Sequence, residues 1–321
     1  MNSDKKLISF VIPLHNEAAS LPTVHKGLMD VIRTLEIDYE VLYVDDGSTD
    51  ATPTIINALH AENARVYLLK MSRNFGKESA LAAGIATAKG EAIITLDGDG
   101  QHPASSIPDF IAAWRAGAQV VVGITTDYKR SGLFKQLGSK LYYKLYNRAT
   151  SQKLVPGSSD FRLIDRTVQQ VFVTMQESDR MTRGLIDWIG FDRTYVPYET
   201  AERTAGDAAY SKRKLVSLAT SSFVSMTPTP LYMFGYLGVL ITSVSFLIGL
   251  TVLIEQIILE DPLNWNFTGT AMLAIVTLFL VGIILMSQGI LSLYVSHINT
   301  QSKGRPLYVI DYSKSLGIKK P

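Results

Sequence analysis

Short apolar runs alternate with longer mixed segments through the first half of the chain. Each run is rich in Val, Ile, Leu or Tyr, as buried strands are, and each intervening segment is long enough to hold a crossover helix. The runs cover residues 8–13, 39–45, 65–70, 91–97 and 119–123. This pattern predicts an α/β domain built on a parallel sheet with helices on both faces.

Two longer apolar stretches follow, at residues 231–254 and 267–295, and neither contains a charged residue. Each exceeds the roughly 20 residues that cross a bilayer core. The connector 255–266 contains acidic residues but no Lys or Arg. Basic residues flank the pair on its outer sides, at Lys212, Arg213, Lys214, Lys303 and Arg305. Because basic flanks stay in the cytoplasm, we predict two C-terminal transmembrane helices in the plasma (inner) membrane, with both termini cytoplasmic.

The overall composition agrees with a membrane association and excludes some chemistry. Hydrophobic residues make up 47% of the chain and charged residues 19%, which is apolar for a soluble enzyme. The net charge of +2 is too small to indicate a nucleic-acid partner. The chain has no cysteine, which excludes disulfides, cysteine-ligated zinc and a thiol nucleophile.

These patterns divide the chain into four predicted parts. They are a cytoplasmic domain at 1–215, a juxtamembrane segment at 216–230, two transmembrane helices at 231–295 and a cytoplasmic tail at 296–321. Within the first part, residues 132–148 have the spacing of an amphipathic helix with interleaved Lys and Arg. Such a helix suits a membrane interface, although a helix packed on the sheet gives the same pattern.

Polar residues follow the predicted strands, at the edge where parallel sheets bind ligands. The first strand is followed by His15 and Glu17, and the second ends at Asp45 and Asp46. Residues 47–50 have the composition of a turn and a helix cap. That explanation leaves the two adjacent aspartates unexplained, so they are candidate ligand-binding residues.

The fourth apolar run ends in Asp97, followed by Asp99 and Gln101. Residues two apart on a strand point to one side, so this spacing lets three oxygen ligands face one hard cation, Mg²⁺ or Mn²⁺. A simple turn is the alternative. The second acidic strand end upstream favours the metal site.

Several segments combine into a recognisable series. In chain order they are VIPLHNE, VDDGSTD, RNFGKESALAAGI, DGDGQHP and GSSDFRLIDR, followed by a basic stretch and two apolar spans. The series resembles family 2 glycosyltransferases, and more narrowly the polyprenyl-phosphate glycosyltransferases, which include undecaprenyl-phosphate glucosyltransferases and dolichol-phosphate mannose synthase. The resemblance covers essentially the whole chain. It implies a GT-A (Rossmann-like) nucleotide-sugar-binding domain with interfacial helices, a divalent metal, and a homo-oligomer such as a tetramer.

The resemblance also implies a reaction. A UDP-sugar, with glucose as the default, would glycosylate undecaprenyl or another polyprenyl phosphate with inversion, giving a lipid-linked sugar for cell-surface glycan modification. Two other functions stay open, a membrane-bound nucleotidyltransferase and a non-catalytic membrane scaffold.

Individual residues take roles from the same resemblance. The nucleotide-sugar site would comprise Pro13, His15, Glu17, Asp46 and Asp97, with Asp46 bonded to the uracil. The metal ligands would be Asp97, Asp99 and Gln101. The catalytic residues would be Asp99 and Asp160, and the acceptor-phosphate residues would be Lys135, Ser139, Arg203 and Lys212. Relatives often have an arginine where Thr125 stands and a shorter loop at 206–213.

Asp160 occupies the position of a base, but its role stays open. A phosphate monoester has a second pKa of about 6, so the acceptor is mostly deprotonated at neutral pH and needs no strong base. Asp160 would then orient the acceptor or Arg162. The alternative is a structural salt bridge from Asp160 to Arg162 or Arg166.

Overall fold

The computed structural model describes residues 5–126, 155, 157–175, 177, 180–200, 247 and 269–318. Its contacts divide the chain into two units. The first comprises Met1–Ser211 together with Arg305–Pro321, and the second comprises Lys212–Gly304.

The described part of the first unit contains a seven-stranded sheet. The strands are β1 Leu7–Leu14, β2 Asp38–Asp45, β3 Val66–Lys70, β4 Ala92–Thr95, β5 Val120–Thr125, β6 Ser158–Asp165 and β7 Arg193–Tyr198. Their spatial order is β3-β2-β1-β4-β6-β5-β7. The five predicted strands are confirmed as β1 to β5.

The five predicted strands run parallel to one another, but the sheet as a whole is mixed. β6 lies between β4 and β5 and runs antiparallel to both, with Ile164 opposite Ile93 on one side and Val120 on the other. Neither β6 nor β7 was predicted. A strand buried on both faces has the same apolar composition whichever way it runs, so the pattern alone does not give its direction.

Helices cover both faces of the sheet. They are α1 Leu21–Ile32, α2 Thr52–Glu62, α3 Lys77–Thr87, α4 Ile107–Arg115, α5 Arg166–Phe172 and α6 Thr182–Ile189. Successive side chains of a strand point to opposite faces, and β1 shows the result. Phe10 and Ile12 join the core formed with α1, α2 and α4, whereas Val11 joins the core formed with α3, α5 and α6.

The residues after position 304 pack against the edge strand β3. Leu316 bridges to Leu68 and Ile310 bridges to Met71, both in antiparallel orientation. The amide of Leu316 donates to the carbonyl of Leu68 at 2.9 Å, and the amide of Asp311 donates to that of Lys70 at 2.8 Å. We call residues 305–318 the docked tail. It belongs to the same unit as the sheet.

The second unit contains α7, a helix over Gly269–Ser302. Within the described residues, no helix is both long enough and apolar enough to cross a membrane. Apart from Leu247, the predicted span 231–254 lies outside the described residues, as do the juxtamembrane segment 216–230 and the amphipathic segment 132–148.

Candidate functional site

The loops after β1 and β2 are joined by hydrogen bonds into one rim. Asn16 takes a positive φ of 57°, and its amide donates to the Ser48 hydroxyl at 2.9 Å. The amide of Thr49 donates to the Asn16 side chain at 2.8 Å, and the amide of Glu17 donates to the Thr52 hydroxyl at 2.9 Å. This network fixes the positions of His15 and Glu17 relative to the end of β2.

The two adjacent aspartates at the end of β2 have different partners. Asp45 is fully buried and forms an ion pair with Lys70. The two carboxylate oxygens of Asp46 accept the amides of Phe75 and Gly76, at 2.7 and 2.8 Å. Asp45 therefore anchors the sheet, and Asp46 holds the loop that leads into α3.

Gly47 allows this loop to approach. It has a φ of +69°, and a Cβ there would lie 2.6 Å from the backbone of Arg73. A side chain at this position would therefore push the 73–76 loop away from Asp46. The turn composition of residues 47–50 thus serves the placement of a second loop.

The hydrogen bonds of His15 define its tautomer. Its Nδ1 lies 2.8 Å from the carbonyl oxygen of Asp46, which only accepts, so Nδ1 carries the proton. Its Nε2 then accepts from the side-chain amide of Asn74 at 3.1 Å. His15 is exposed at the rim, whereas Pro13 is buried in β1. The side chain at position 15 therefore presents a fixed ring edge to the site.

Ser20 connects the rim to the acidic motif. This serine is fully buried, and its hydroxyl lies within hydrogen-bonding distance of the Glu17 carboxylate and of the Gly98 carbonyl, the latter at 2.9 Å. Glu17 is thereby held beside the loop that follows β4.

The loop after β4 carries Asp97, Asp99 and Gln101 and is stabilised from within. The amide of Gln101 donates to the Asp99 carboxylate at 3.0 Å, and the amide of Asp97 donates to Nδ1 of His102 at 3.0 Å. His102 stacks on Phe161 with ring centroids 5.1 Å apart. Burial lowers the pKa of His102, which keeps Nδ1 available as an acceptor. His102 therefore fixes the backbone of the acidic motif.

Lys77 joins the acidic motif to β6. Its Nζ lies 2.7 Å from Oδ1 of Asp97 and 2.9 Å from Oδ2 of Asp160. Burial alone would lower the pKa of Lys77, but the charges of Asp160 and Asp97 outweigh it and raise that pKa. Burial alone would raise the pKa of Asp160, but the positive charges of Lys77, Arg183 and Arg162 lower it to about 2. Lys77 and Asp160 are therefore both ionised at neutral pH.

The ion partner of Asp160 is thus Lys77, rather than the arginines considered from the sequence. Arg162 is buried and pairs with Asp187 at 2.8 Å, and Arg166 donates to the carbonyl of Ala88 at 2.8 Å. The structure therefore does not show the salt bridge from Asp160 to Arg162 or Arg166 that the sequence left open.

A further carboxyl group lies next to this cluster. Glu78 accepts the amide of Thr182, the first residue of α6, at 2.7 Å. Burial and the charge of Asp160 raise the pKa of Glu78. Glu78 therefore tethers α6 to α3.

The donor set at the end of β4 fits a hard divalent cation. Among the described residues, no cluster of three or more His, Cys, Asp or Glu side chains has a metal-binding arrangement. Two protein carboxylates nevertheless suit Mg²⁺, which is usually bound through one or two carboxylates together with waters and substrate phosphates. Asp97 and Asp99, both partly exposed, meet that requirement.

A cavity of about 130 Å³ opens beside the motif, between α1 and the loop after β4. Ile12, Val24, Leu28, Leu96 and His102 are among its lining residues. Pockets for drug-sized ligands measure roughly 300–1,000 Å³, so this cavity is too small for a whole nucleotide sugar. The carboxyl ends of β1, β2 and β4 offer the larger surface.

The proposed acceptor residues Lys135, Ser139, Arg203 and Lys212 lie outside the described residues. The structure brings together the others at one edge of the sheet. Sequence reasoning missed Lys77, Glu78 and His102, although all three lie within the motifs that carried the resemblance. The available signal was a lysine directly after Gly76, at the start of a helix that follows a strand.

Comparison with known proteins extends these observations. Residues 9–172 match the family described as Glycosyl transferase family 2. The chain is 35% identical to the bactoprenol glucosyl transferase of Shigella phage SfV, covering 96% of this chain and 99% of the relative. It is also 35% identical to the prophage bactoprenol glucosyl transferase homolog of Escherichia coli K12, covering 94% and 98%.

One further sequence relative and one solved structure are also similar to this chain. The chain is 32% identical to the uncharacterized glycosyltransferase YkcC of Bacillus subtilis, covering 97% of this chain and 94% of the relative. In three dimensions it resembles mannosyl-3-phosphoglycerate synthase from Rubrobacter xylanophilus, with a TM-score of 0.50, 14% identity and coverage of 72% and 75%. At this sequence identity, the structural similarity shows a shared fold.

Proposed function

This chain belongs to glycosyltransferase family 2, and from that membership we propose that it transfers a sugar from a UDP-sugar to undecaprenyl or another polyprenyl phosphate. Relatives that match nearly its whole length are named bactoprenol glucosyl transferases, which supports a polyprenyl phosphate as acceptor and glucose as the default sugar. The enzyme's product would be an inverted polyprenyl-phosphate sugar used for cell-surface glycan modification.

One observation carries the proposal. Asp97 and Asp99 follow β4, and Asp160 on the neighbouring strand β6 is joined to Asp97 through the ammonium of Lys77. A transferase that expels a nucleoside diphosphate needs groups that hold the diphosphate and groups that orient the nucleophile within a few ångströms of each other. This arrangement of charges at the carboxyl edge of the sheet meets that need.

Separate groups of residues would bind the nucleoside, the metal and the acceptor phosphate. The rim of His15, Glu17 and Asp46 would hold the nucleoside. Asp97, Asp99 and Gln101 would hold Mg²⁺ or Mn²⁺, which when bound offsets the charge that develops on the leaving diphosphate. Lys135, Ser139, Arg203 and Lys212 would hold the acceptor phosphate, as the family resemblance implies.

The proposed reaction needs no protein side chain to act as a base. A phosphate oxygen of the acceptor attacks the anomeric carbon from the face opposite the leaving group. The carbon–oxygen bond to the diphosphate breaks, and its electron pair leaves with UDP. The acceptor is mostly deprotonated above its second pKa of about 6. With a pKa of about 2, Asp160 is a weak base, so it would act by orienting groups and by its negative charge.

We also propose a membrane location for the enzyme. The uncharged stretches 231–254 and 267–295 and their basic outer flanks support two spans with the catalytic domain in the cytoplasm of the cell. The acceptor is a membrane lipid, so an anchored enzyme meets it without leaving the bilayer surface. The homo-oligomeric state implied by the family resemblance remains part of this proposal.

The test measures UDP release by the purified full-length protein from a panel of UDP-sugars, with and without undecaprenyl phosphate and with Mg²⁺ or Mn²⁺. We expect release that depends on the lipid and the metal. Asp99→Asn should lower kcat/KM at least tenfold, because it removes a negative metal ligand. Asp30→Asn, at an exposed residue of α1, is the matched control and should leave turnover unchanged.

Other outcomes would favour the other functions. Release of a sugar 1-phosphate from the UDP-sugar, with transfer of the uridylyl group, would indicate a nucleotidyltransferase. No turnover with any donor would indicate a scaffold. Normal turnover in Asp99→Asn at saturating metal would refute the assigned metal site.

A further inference from the structure

The ammonium of Lys77 contacts Asp97, one of the proposed metal ligands. Its Nζ contacts Oδ1 of Asp97 at 2.7 Å and Oδ2 of Asp160 at 2.9 Å. These carboxylates come from different strands, and Lys77 comes from the first residue of α3. One cation therefore neutralises two acidic groups of the proposed site.

A divalent cation at Asp97 would compete with this lysine. Two cations a few ångströms apart repel strongly in a partly buried site, and the ammonium already occupies one of the two oxygens of Asp97. Lysine is a compact charge on a flexible stem of four carbons, and the Lys77 side chain is 37% exposed. Repulsion from another cation would therefore displace the Lys77 side chain, and its exposure leaves it able to move.

A diphosphate gives the displaced ammonium a new partner. A nucleoside diphosphate at the carboxyl edge of the sheet brings several negative oxygens to within reach of α3. A charge-assisted hydrogen bond from lysine to phosphate would replace the bond to Asp97. The second contact, with Asp160, keeps Lys77 near the site during the exchange.

We propose that Lys77 is the counter-ion of Asp97 and Asp160 before nucleotide binds, and that it couples metal binding to nucleotide binding. Without nucleotide it competes with the divalent cation for Asp97, and with nucleotide it moves to the diphosphate and leaves Asp97 to the metal. This inference rests on the proposed function, because it requires a nucleoside diphosphate and a metal at this edge of the sheet. Lys77 is thus a positioning residue that acts through Asp97 and the diphosphate.

Linkage makes the proposal quantitative. If UDP raises the affinity for the metal by some factor, the metal raises the affinity for UDP by the same factor. Direct contact between metal and diphosphate contributes to that factor in any variant. The part that comes from moving Lys77 disappears when the charge at position 77 is removed.

The experiment measures Mn²⁺ binding to the purified full-length protein by the loss of the free-ion electron paramagnetic resonance signal, with and without UDP. In Lys77→Gln we expect at least fivefold tighter Mn²⁺ binding without UDP, and a coupling factor at least fivefold smaller than in the unsubstituted protein. Lys77→Arg keeps the charge and should behave as the unsubstituted protein does. Lys89→Gln removes an equal charge at an exposed position outside the site and is the matched control.

A second measurement needs no variant and so does not depend on Lys77→Gln folding normally. In the unsubstituted protein without metal, UDP should bind at least fivefold tighter than uridine, because Lys77 can exchange its contact with Asp97 for one with the diphosphate. Equal affinities would overturn the proposal. So would unchanged or weaker Mn²⁺ binding by a folded Lys77→Gln protein.

The two proposals fail in different ways. If the unsubstituted protein binds Mn²⁺ together with UDP but Lys77→Gln binds Mn²⁺ no tighter, the role of Lys77 is refuted and the proposed function stands. If the unsubstituted protein binds no Mn²⁺ even with UDP, the metal-dependent function is refuted, and the role of Lys77 with it.

Discussion

Asp160 shows how its neighbours set the chemistry of a single residue. It lies in β6, where burial favours the neutral carboxyl, yet Lys77 and the nearby Arg183 and Arg162 lower its pKa to about 2. The reference value is 3.8. The ionised form therefore stabilises the folded protein above pH 3.8, and this contribution is lost as the pH falls towards 2. Between pH 5 and 8 the charge of Asp160 does not change.

This behaviour predicts the pH dependence of an Asp160→Asn variant. We expect kcat/KM to fall about tenfold or more at every pH from 5 to 8, because a charge that orients the site is lost. The acid limb of the profile, near the second pKa of the acceptor phosphate at about 6, should keep its position. The measurement is kcat/KM for undecaprenyl phosphate across that range. An acid limb that vanished in the variant would show that Asp160 is the titrating base.

The acidic residues of the site could be found from the sequence because each lies directly at or after a strand end. Asp46, Asp97 and Asp99 needed only the apolar runs that precede them. The partner of Asp160 could not be found in this way. Lys77 lies 83 positions away in the chain, and the antiparallel insertion of β6 beside β4 is what brings the two together.

At the scale of elements, the docked tail is the least expected part of the fold. From the sequence it was predicted as a separate cytoplasmic segment, 296–321, and its apolar run 307–310 did not reveal a partner strand. In the structure its backbone takes up the hydrogen-bonding edge of β3. The Lys70 amide donates to the Ser315 hydroxyl at 3.1 Å and the Ser72 amide to the carbonyl of Val309 at 2.9 Å. The tail thus supports the start of the 73–76 loop, which holds Asp46.

Gly317 offers a test of tail docking. It has a φ of +71°, and a Cβ there would collide with the ring of Tyr67. We expect Gly317→Ala to cost roughly 1–3 kcal/mol in local stability and to speed the hydrogen exchange of the Leu68, Lys70 and Ser72 amides. Gly304→Ala is the matched control, since Gly304 also has a positive φ, of +56°, but its Cβ would meet no atom within 4 Å. Equal exchange in the two variants would show that the tail does not protect β3.

At the scale of the whole molecule, the docked tail restricts how the chain relates to a membrane. The tail is hydrogen-bonded to β3, so tail and sheet lie on the same side of any bilayer. The chain between residues 201 and 304 must then cross an even number of times or not at all. Two crossings by the uncharged stretches 231–254 and 267–295 satisfy this condition.

Reporter fusions test that topology. We expect a fluorescent protein fused after Pro321 to be active inside the cell, and alkaline phosphatase inserted within 255–266 to be active outside, because the basic flanks stay in the cytoplasm. A phosphatase fused after Pro321 should be inactive. Activity of that last fusion would contradict both the charge argument and the common location of tail and sheet.

The contact between the tail and β3 also sets the order in which a newly made chain completes its fold. Lys70 and Ser315 are 245 residues apart. At a synthesis rate of about 5–20 residues per second, β3 waits about 12–50 s for this partner to be made. Until then the outer strand has unpaired backbone groups of the kind through which separate chains associate. Chains still on the ribosome should therefore be the most dependent on chaperones, and slowing translation late in the message should increase aggregation of this protein.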